Sequence, residues 1–84
     1  MNFKVEKHGD IALVAVALHR ATLNESEEFK KILLTQIEGG IKKLIVDLSQ
    51  CEFIDSTFLG ALVVTLKKIT QQSGDLKLVG FQPA

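Results

Sequence analysis

The chain has 84 residues, 46% of them hydrophobic, and ten basic side chains cancel ten acidic ones, so it can fill one small core and has no net charge to draw it to nucleic acid. Phe is the only aromatic type, which removes the usual base-stacking platforms, and the longest apolar run, Ile11 to Leu18, has eight residues, against roughly 18 for a membrane span. No basic leader with a small-residue cleavage site opens the chain, and a single cysteine, Cys51, has no internal disulfide partner; the expectation is a cytoplasmic protein with no membrane insertion and no nucleic-acid partner.

Phe3-Lys-Val-Glu-Lys7 alternates apolar and polar, the period of a half-buried strand. His8-Gly9-Asp10 is turn chemistry, with Gly9 free to take positive φ. The run Ile11 to Leu18 suits a central strand covered on both faces, antiparallel to the first across that short turn. His19 to Leu23 then leaves the sheet.

Asn24 followed by Glu27 reads as a helix N-cap with its capping box, and Phe29, Ile32, Leu33 and Ile37 form one apolar stripe. Gly39-Gly40 ends that helix, and Ile41 to Leu48 is the next strand, which makes a βαβ unit with a right-handed crossover. A second helix is predicted from about Ser56 to Gln72, its stripe being Leu59, Leu62, Val63, Leu66 and Ile69, and Gly74 supplies its stop. Leu76-Lys-Leu-Val-Gly80 is a fourth strand, parallel to the third. The order is ββαβαβ: one α/β domain over 1–84, with a small mixed sheet in which an N-terminal antiparallel hairpin is followed by parallel strands.

The stretch Phe53-Ile-Asp-Ser-Thr57 sits between a buried strand and the second helix, so two hydroxyls stand just behind a helix start. Asp55 is placed to cap that helix by accepting from backbone N–H groups near Thr57 or Phe58, and Ser56 is then its first residue. On its own, Asp-Ser-Thr is only a good helix start. Phe58 shares a helical face with Ala61 and Thr65, away from the Leu59–Leu62–Leu66 stripe, so it offers either an exposed apolar contact or a side chain folded onto a nearby loop.

Ile45-Val-Asp-Leu-Ser49, Phe53-Ile-Asp-Ser-Thr57 and Leu59-Gly-Ala-Leu62 together resemble the signature of STAS domains, the anti-sigma factor antagonists and their relatives, whose core motif is of the type Asp-Ser-Ser/Thr-Gly-Leu-Gly. The resemblance extends over nearly the whole chain. It implies a non-enzymatic, protein-binding regulator in which Ser56 is phosphorylated by an anti-sigma factor serine kinase, with Thr57 the lesser candidate, and reset by a PP2C-like phosphatase. Ser56, Thr57, Phe58 and Ala61 are the expected partner-binding residues, and Asp55 matches the motif Asp. Two features depart from the pattern. Phe58 stands where the family has Gly, and the family continues into a further helix, a fifth strand and a closing helix that this sequence lacks. The second departure implies a C-terminally truncated STAS-like domain with an edge or helix face uncovered, hence a homodimer or a marginally stable monomer. The first keeps an alternative open, an accessory subunit that binds the ATPase of an ABC lipid transporter without phosphorylation.

Nothing in the sequence points to an enzyme. His8 and His19 lack Asp, Glu or Cys at ligand spacing, so no metal is expected. Ser56 lies in no Gly-x-Ser-x-Gly elbow, and no Lys-Ser/Thr pair follows Gly39-Gly40 to make a phosphate loop, so neither a catalytic residue nor a cofactor is expected.

Overall fold

A computed structural model describes residues 2–82. The elements are β1 (Phe3–His8), β2 (Ile11–Val16), β3 (Arg20–Ala21), α1 (Leu23–Glu38), β4 (Lys43–Asp47), β5 (Phe53–Ile54), α2 (Ser56–Gln71) and β6 (Asp75–Val79). Four strands form one sheet in the order β1-β2-β4-β6. β1 and β2 are antiparallel, with His8 opposite Ile11 across a turn in which Gly9 has φ +62. β4 lies parallel to β2, and β6 parallel to β4. The mixed sheet expected from the ββαβαβ order is therefore present.

Both crossovers step the same way across the sheet, so helices reached by connections of one hand land on the same face. That face is the core. Ala12, Val14 and Val16 of β2 and Leu44 and Val46 of β4 are buried there, together with Phe29, Leu33 and Ile37 of α1. The alternate residues Ile11, Leu13, Ala15 and Ile45 are only half-buried. The expectation of a strand covered on both faces thus fails. Two helices over four strands supply one layer, and the other face stays open. β1 is an edge strand by the sheet order, and the core thins towards it: Phe3 is buried but Val5 is 36% exposed.

The face that α2 turns inward is the larger correction. The stripe predicted for the core is largely outside, with Leu59 50%, Val63 47% and Leu66 40% exposed. The buried residues are Phe58, Ala61, Leu62, Thr65 and Ile69. Helix 56–71 carries apolar residues on two overlapping stripes, so periodicity alone does not choose between them. Aromatic packing does. Phe58 stacks on Phe29 with ring centroids 4.3 Å apart, and Phe29 stacks on Phe3 at 5.3 Å, contacts worth about 1 kcal/mol each beyond the area they bury. Thr65 can join this face because its hydroxyl donates to the Ala61 carbonyl at 2.8 Å and so is not buried unpaired. Phe58 and Ala61, expected at a partner surface, are instead 0% and 5% exposed.

Glycine is required at two helix exits, for different reasons. Gly40, φ +98, follows α1 in the left-handed region. After α2 the left-handed residue is Ser73, φ 63, whereas Gly74 is needed for space: a Cβ there would sit 2.6 Å from the Lys42 carbonyl oxygen. The predicted glycine stop is therefore a close approach of backbone to backbone.

Candidate functional site

The site is built at the carboxyl ends of β2 and β4, where the chain leaves the sheet twice. Residues 19–21 pair with residues 52–54 as a short parallel ladder, β3 with β5. The His19 carbonyl accepts from the Glu52 and Phe53 N–H groups at 2.9 and 3.2 Å, and the Ala21 carbonyl accepts from the Asp55 N–H at 3.0 Å. This ladder brings the starts of α1 and α2 side by side. The sequence shows no sign of it, because a two-residue strand has no period to read.

Asp55 joins the two helices. Its Oδ1 accepts from the Phe58 N–H at 2.8 Å, capping α2, and its Oδ2 accepts from the Leu23 N–H at 2.9 Å, at the first residue of α1. α1 begins at Leu23 with Thr22 as its N-cap: the Thr22 hydroxyl accepts from the Asn24 N–H, and the Glu25 carboxylate accepts from the Thr22 N–H at 3.1 Å. The expected Asn24–Glu27 capping box is thus replaced by Thr22–Glu25, two residues earlier. Both pairs satisfy the sequence rule; with Thr22 as the cap, Leu23 is the first residue of α1 and its N–H, which has no intrahelical partner, meets Asp55.

Ser56 and Thr57 are both exposed, in the first turn of α2. Around them lie residues that the sequence did not mark as partner-binding. Leu23 is 62% exposed and Phe53 41%, and the Arg20 guanidinium sits 4.2 Å above the Phe53 ring. His19 Nδ1 meets Glu52 Oε2 at 3.2 Å, both side chains open to solvent. Beside Thr57 a shallow groove between the helices is lined by Ser26, Lys30, Gly60 and Val64. Their signal was exposure of apolar and cationic groups next to a helix start, which only the fold reveals.

This arrangement presents two exposed hydroxyls on a helix start anchored by Asp55. The positive ends of two helix dipoles converge here, and the carboxylate nearest to the hydroxyls already uses both oxygens on backbone donors. No three His, Cys, Asp or Glu side chains cluster in a way that could hold a metal among the described residues. Cys51 lies just upstream, 1% exposed; burial pushes its thiol above the ordinary value, a Leu18 backbone hydrogen bond pulls the other way, and the charge of Asp47 raises it again. Such a thiol stays protonated and inert at neutral pH. Among the described residues, no helix is long and apolar enough to cross a membrane.

A mixed β1-β2-β4-β6 sheet with both helices on one face, and an exposed Ser-Thr pair behind an aspartate cap, defines a small α/β module that presents a helix start. The chain belongs to the STAS domain family, whose model matches residues 2–84. Among solved structures, its fold is similar to the unphosphorylated anti-sigma factor antagonist SpoIIAA, with TM-score 0.81 at 16% identity over 96% of this chain and 74% of that one. SpoIIAA of Bacillus in its phosphorylated form superposes with TM-score 0.75 at 14% identity, over 98% of this chain and 73% of that one. A Thermotoga maritima protein described as an anti-sigma factor antagonist gives 0.75 at 28% identity, over 90% of this chain and 65% of that one. This chain is therefore shorter than each of these relatives.

Proposed function

We propose that this protein is a non-enzymatic regulatory module of the anti-sigma factor antagonist type, switched by phosphorylation of Ser56. Its partners would be an anti-sigma factor serine kinase and a PP2C-like phosphatase, in the cytoplasm. The observation that carries the reading is the exposed Ser56 hydroxyl at the first residue of α2, directly after the Asp55 carboxylate that ties α1 to α2. The fold shared with SpoIIAA, solved in both phosphorylated and unphosphorylated forms, supports it.

The physical action follows from the surroundings. Leu23 and Phe53, both exposed near Ser56, offer an apolar docking area for the unmodified protein. A phosphoryl group adds about −1.5 to −2 charges at the rim of that area, where docking would have to desolvate it beside Asp55. The helix itself tolerates the group, because the charge lies at the positive end of its dipole. The switch therefore works at the interface, not through the fold. Thr57, exposed one residue on, is the second acceptor to examine.

The alternative, an accessory subunit bound to an ABC transporter ATPase without phosphorylation, rests on Phe58 standing where the family has Gly; Phe58 is buried, so its ring is not itself a contact for such a partner. Incubation with the cognate kinase and ATP, followed by mass spectrometry, tests the assignment. Phosphate on Ser56, lost in Ser56→Ala and kept in Thr57→Ala, is the expected result. Equal labelling of Ser56→Ala, or co-purification with an ATPase and no labelling, would reject it.

A further inference from the structure

We propose that Arg20, stacked on Phe53 beside the Ser56 helix start, receives an acidic side chain of the kinase that docks there, an inference that rests on the antagonist reading of this site.

The β3–β5 ladder fixes the geometry. Ala21, opposite Ile54, turns into the core and is 0% exposed, so the neighbouring rung, Arg20 opposite Phe53, turns out to solvent. The Arg20 guanidinium lies 4.2 Å from the centre of the Phe53 ring. Phe53 is three residues from Ser56, which keeps their backbones within about 10 Å of each other. The bond from the Leu23 N–H to Asp55 sets Leu23 beside the same helix start.

The carboxylates of the ladder and of the two helix starts are committed elsewhere. Asp55 holds the Phe58 and Leu23 N–H groups, and Glu25 holds the N–H and hydroxyl of Thr22. Glu52 meets His19, one rung back from Arg20. Asp47, at the end of β4, accepts from the Ser49 N–H at 2.9 Å. Arg20 is the chain's one arginine, and among the described residues it forms no ion pair. Its anion therefore comes from outside the chain.

A guanidinium laid on a ring keeps its N–H edge free and is already stripped of water on one face. It gives up little more on taking a planar carboxylate through two parallel hydrogen bonds. Leu23, 62% exposed, and Phe53, 41%, supply apolar area that keeps water from that pair. Other anionic partners fit less well. A chain with no net charge offers no basic stripe to nucleic acid, and one exposed arginine is too few cations for an anionic membrane surface. The same chemistry accounts for the sign of the switch: a phosphoryl group on Ser56 sets a second anion against the kinase's carboxylate, and the two repel.

Steady-state phosphorylation by the cognate kinase, with this 84-residue chain as the varied substrate, tests the assignment. Arg20→Gln should raise KM about tenfold and Arg20→Glu about a hundredfold, with kcat unchanged because the hydroxyl and its helix start are untouched. Arg20→Lys keeps the charge and loses the fork, so its KM should fall between wild type and Arg20→Gln. Added salt should raise KM for the wild type and leave that of Arg20→Gln nearly unmoved. Urea midpoints of the variants should match wild type, since Arg20 is exposed. A KM for Arg20→Glu equal to that of wild type overturns the proposal and leaves Ser56 as the modified residue. So does a loss confined to kcat. A wild-type chain that the kinase does not label at Ser56 removes the antagonist reading, and the proposal with it.

Discussion

The first turn of α2 and its flank are built on opposite principles. At the first turn, donors and acceptors are closed on one another: Asp55 serves two helices, Thr22 and Glu25 cap reciprocally, and β3 zips to β5. Along the flank, Leu59, Val63 and Leu66 stand open beside β6, which has no outer neighbour among the described residues. One helix thus joins a start closed by hydrogen bonds to an open apolar flank.

The inward face of α2 is the firmest way to break this picture. Phe58→Ala removes the ring that stacks on Phe29 and should cost about 3–5 kcal/mol in urea denaturation. A cost below about 1 kcal/mol would mean that the face is not the core. Next in size is a paired comparison. Leu62→Ala, at a buried position, should cost about 2–4 kcal/mol, whereas Leu59→Ala, half exposed, should change the folded monomer by less than about 0.5 kcal/mol. Reversal of that order would restore the stripe that the sequence suggests.

Asp55→Ala sharpens the other side of the comparison. It removes two backbone partners at once, and about 2 kcal/mol of stability should go with them, accompanied by faster amide exchange at both Leu23 and Phe58. Loss of protection at Phe58 alone would mean that α1 is held without Asp55.

The smallest effect is at Cys51. Its folded thiol pKa is raised, chiefly by burial, so the native state keeps the proton where the unfolded chain loses it. That contribution to stability is whole below the unfolded value and declines as pH rises through the alkaline thiol range. Chemical denaturation of wild type and Cys51→Ala from neutral to alkaline pH should show the decline in the wild type only.

The hairpin, the apolar stripe of α1 and the parallel order of the later strands are legible in the sequence because each rests on local periodicity or on one turn residue such as Gly9. The face of α2 is not, since 58-61-65 and 59-62-66 are equally helical and the choice depends on Phe29, far away in sequence. The α1 cap is ambiguous in sequence because Thr22 and Asn24 both qualify, and the Asp55 bond to the Leu23 N–H, from more than thirty residues on, leaves no local trace. Asp55, Ser56 and Thr57 could be picked out by their motif. Leu23, Arg20 and Phe53 could not, because only the β3–β5 ladder brings them there.

The central claim is that a charge on Ser56 acts at the docking surface and leaves the fold intact. Calorimetric titration of the cognate kinase with unmodified and Ser56-phosphorylated protein, alongside amide exchange of both forms, tests it most directly. The account predicts affinity lower by about a hundredfold or more, near 3 kcal/mol, with protection at Leu23 and Phe58 unchanged. Equal affinity, or weakened binding accompanied by loss of those two protected amides, would contradict it.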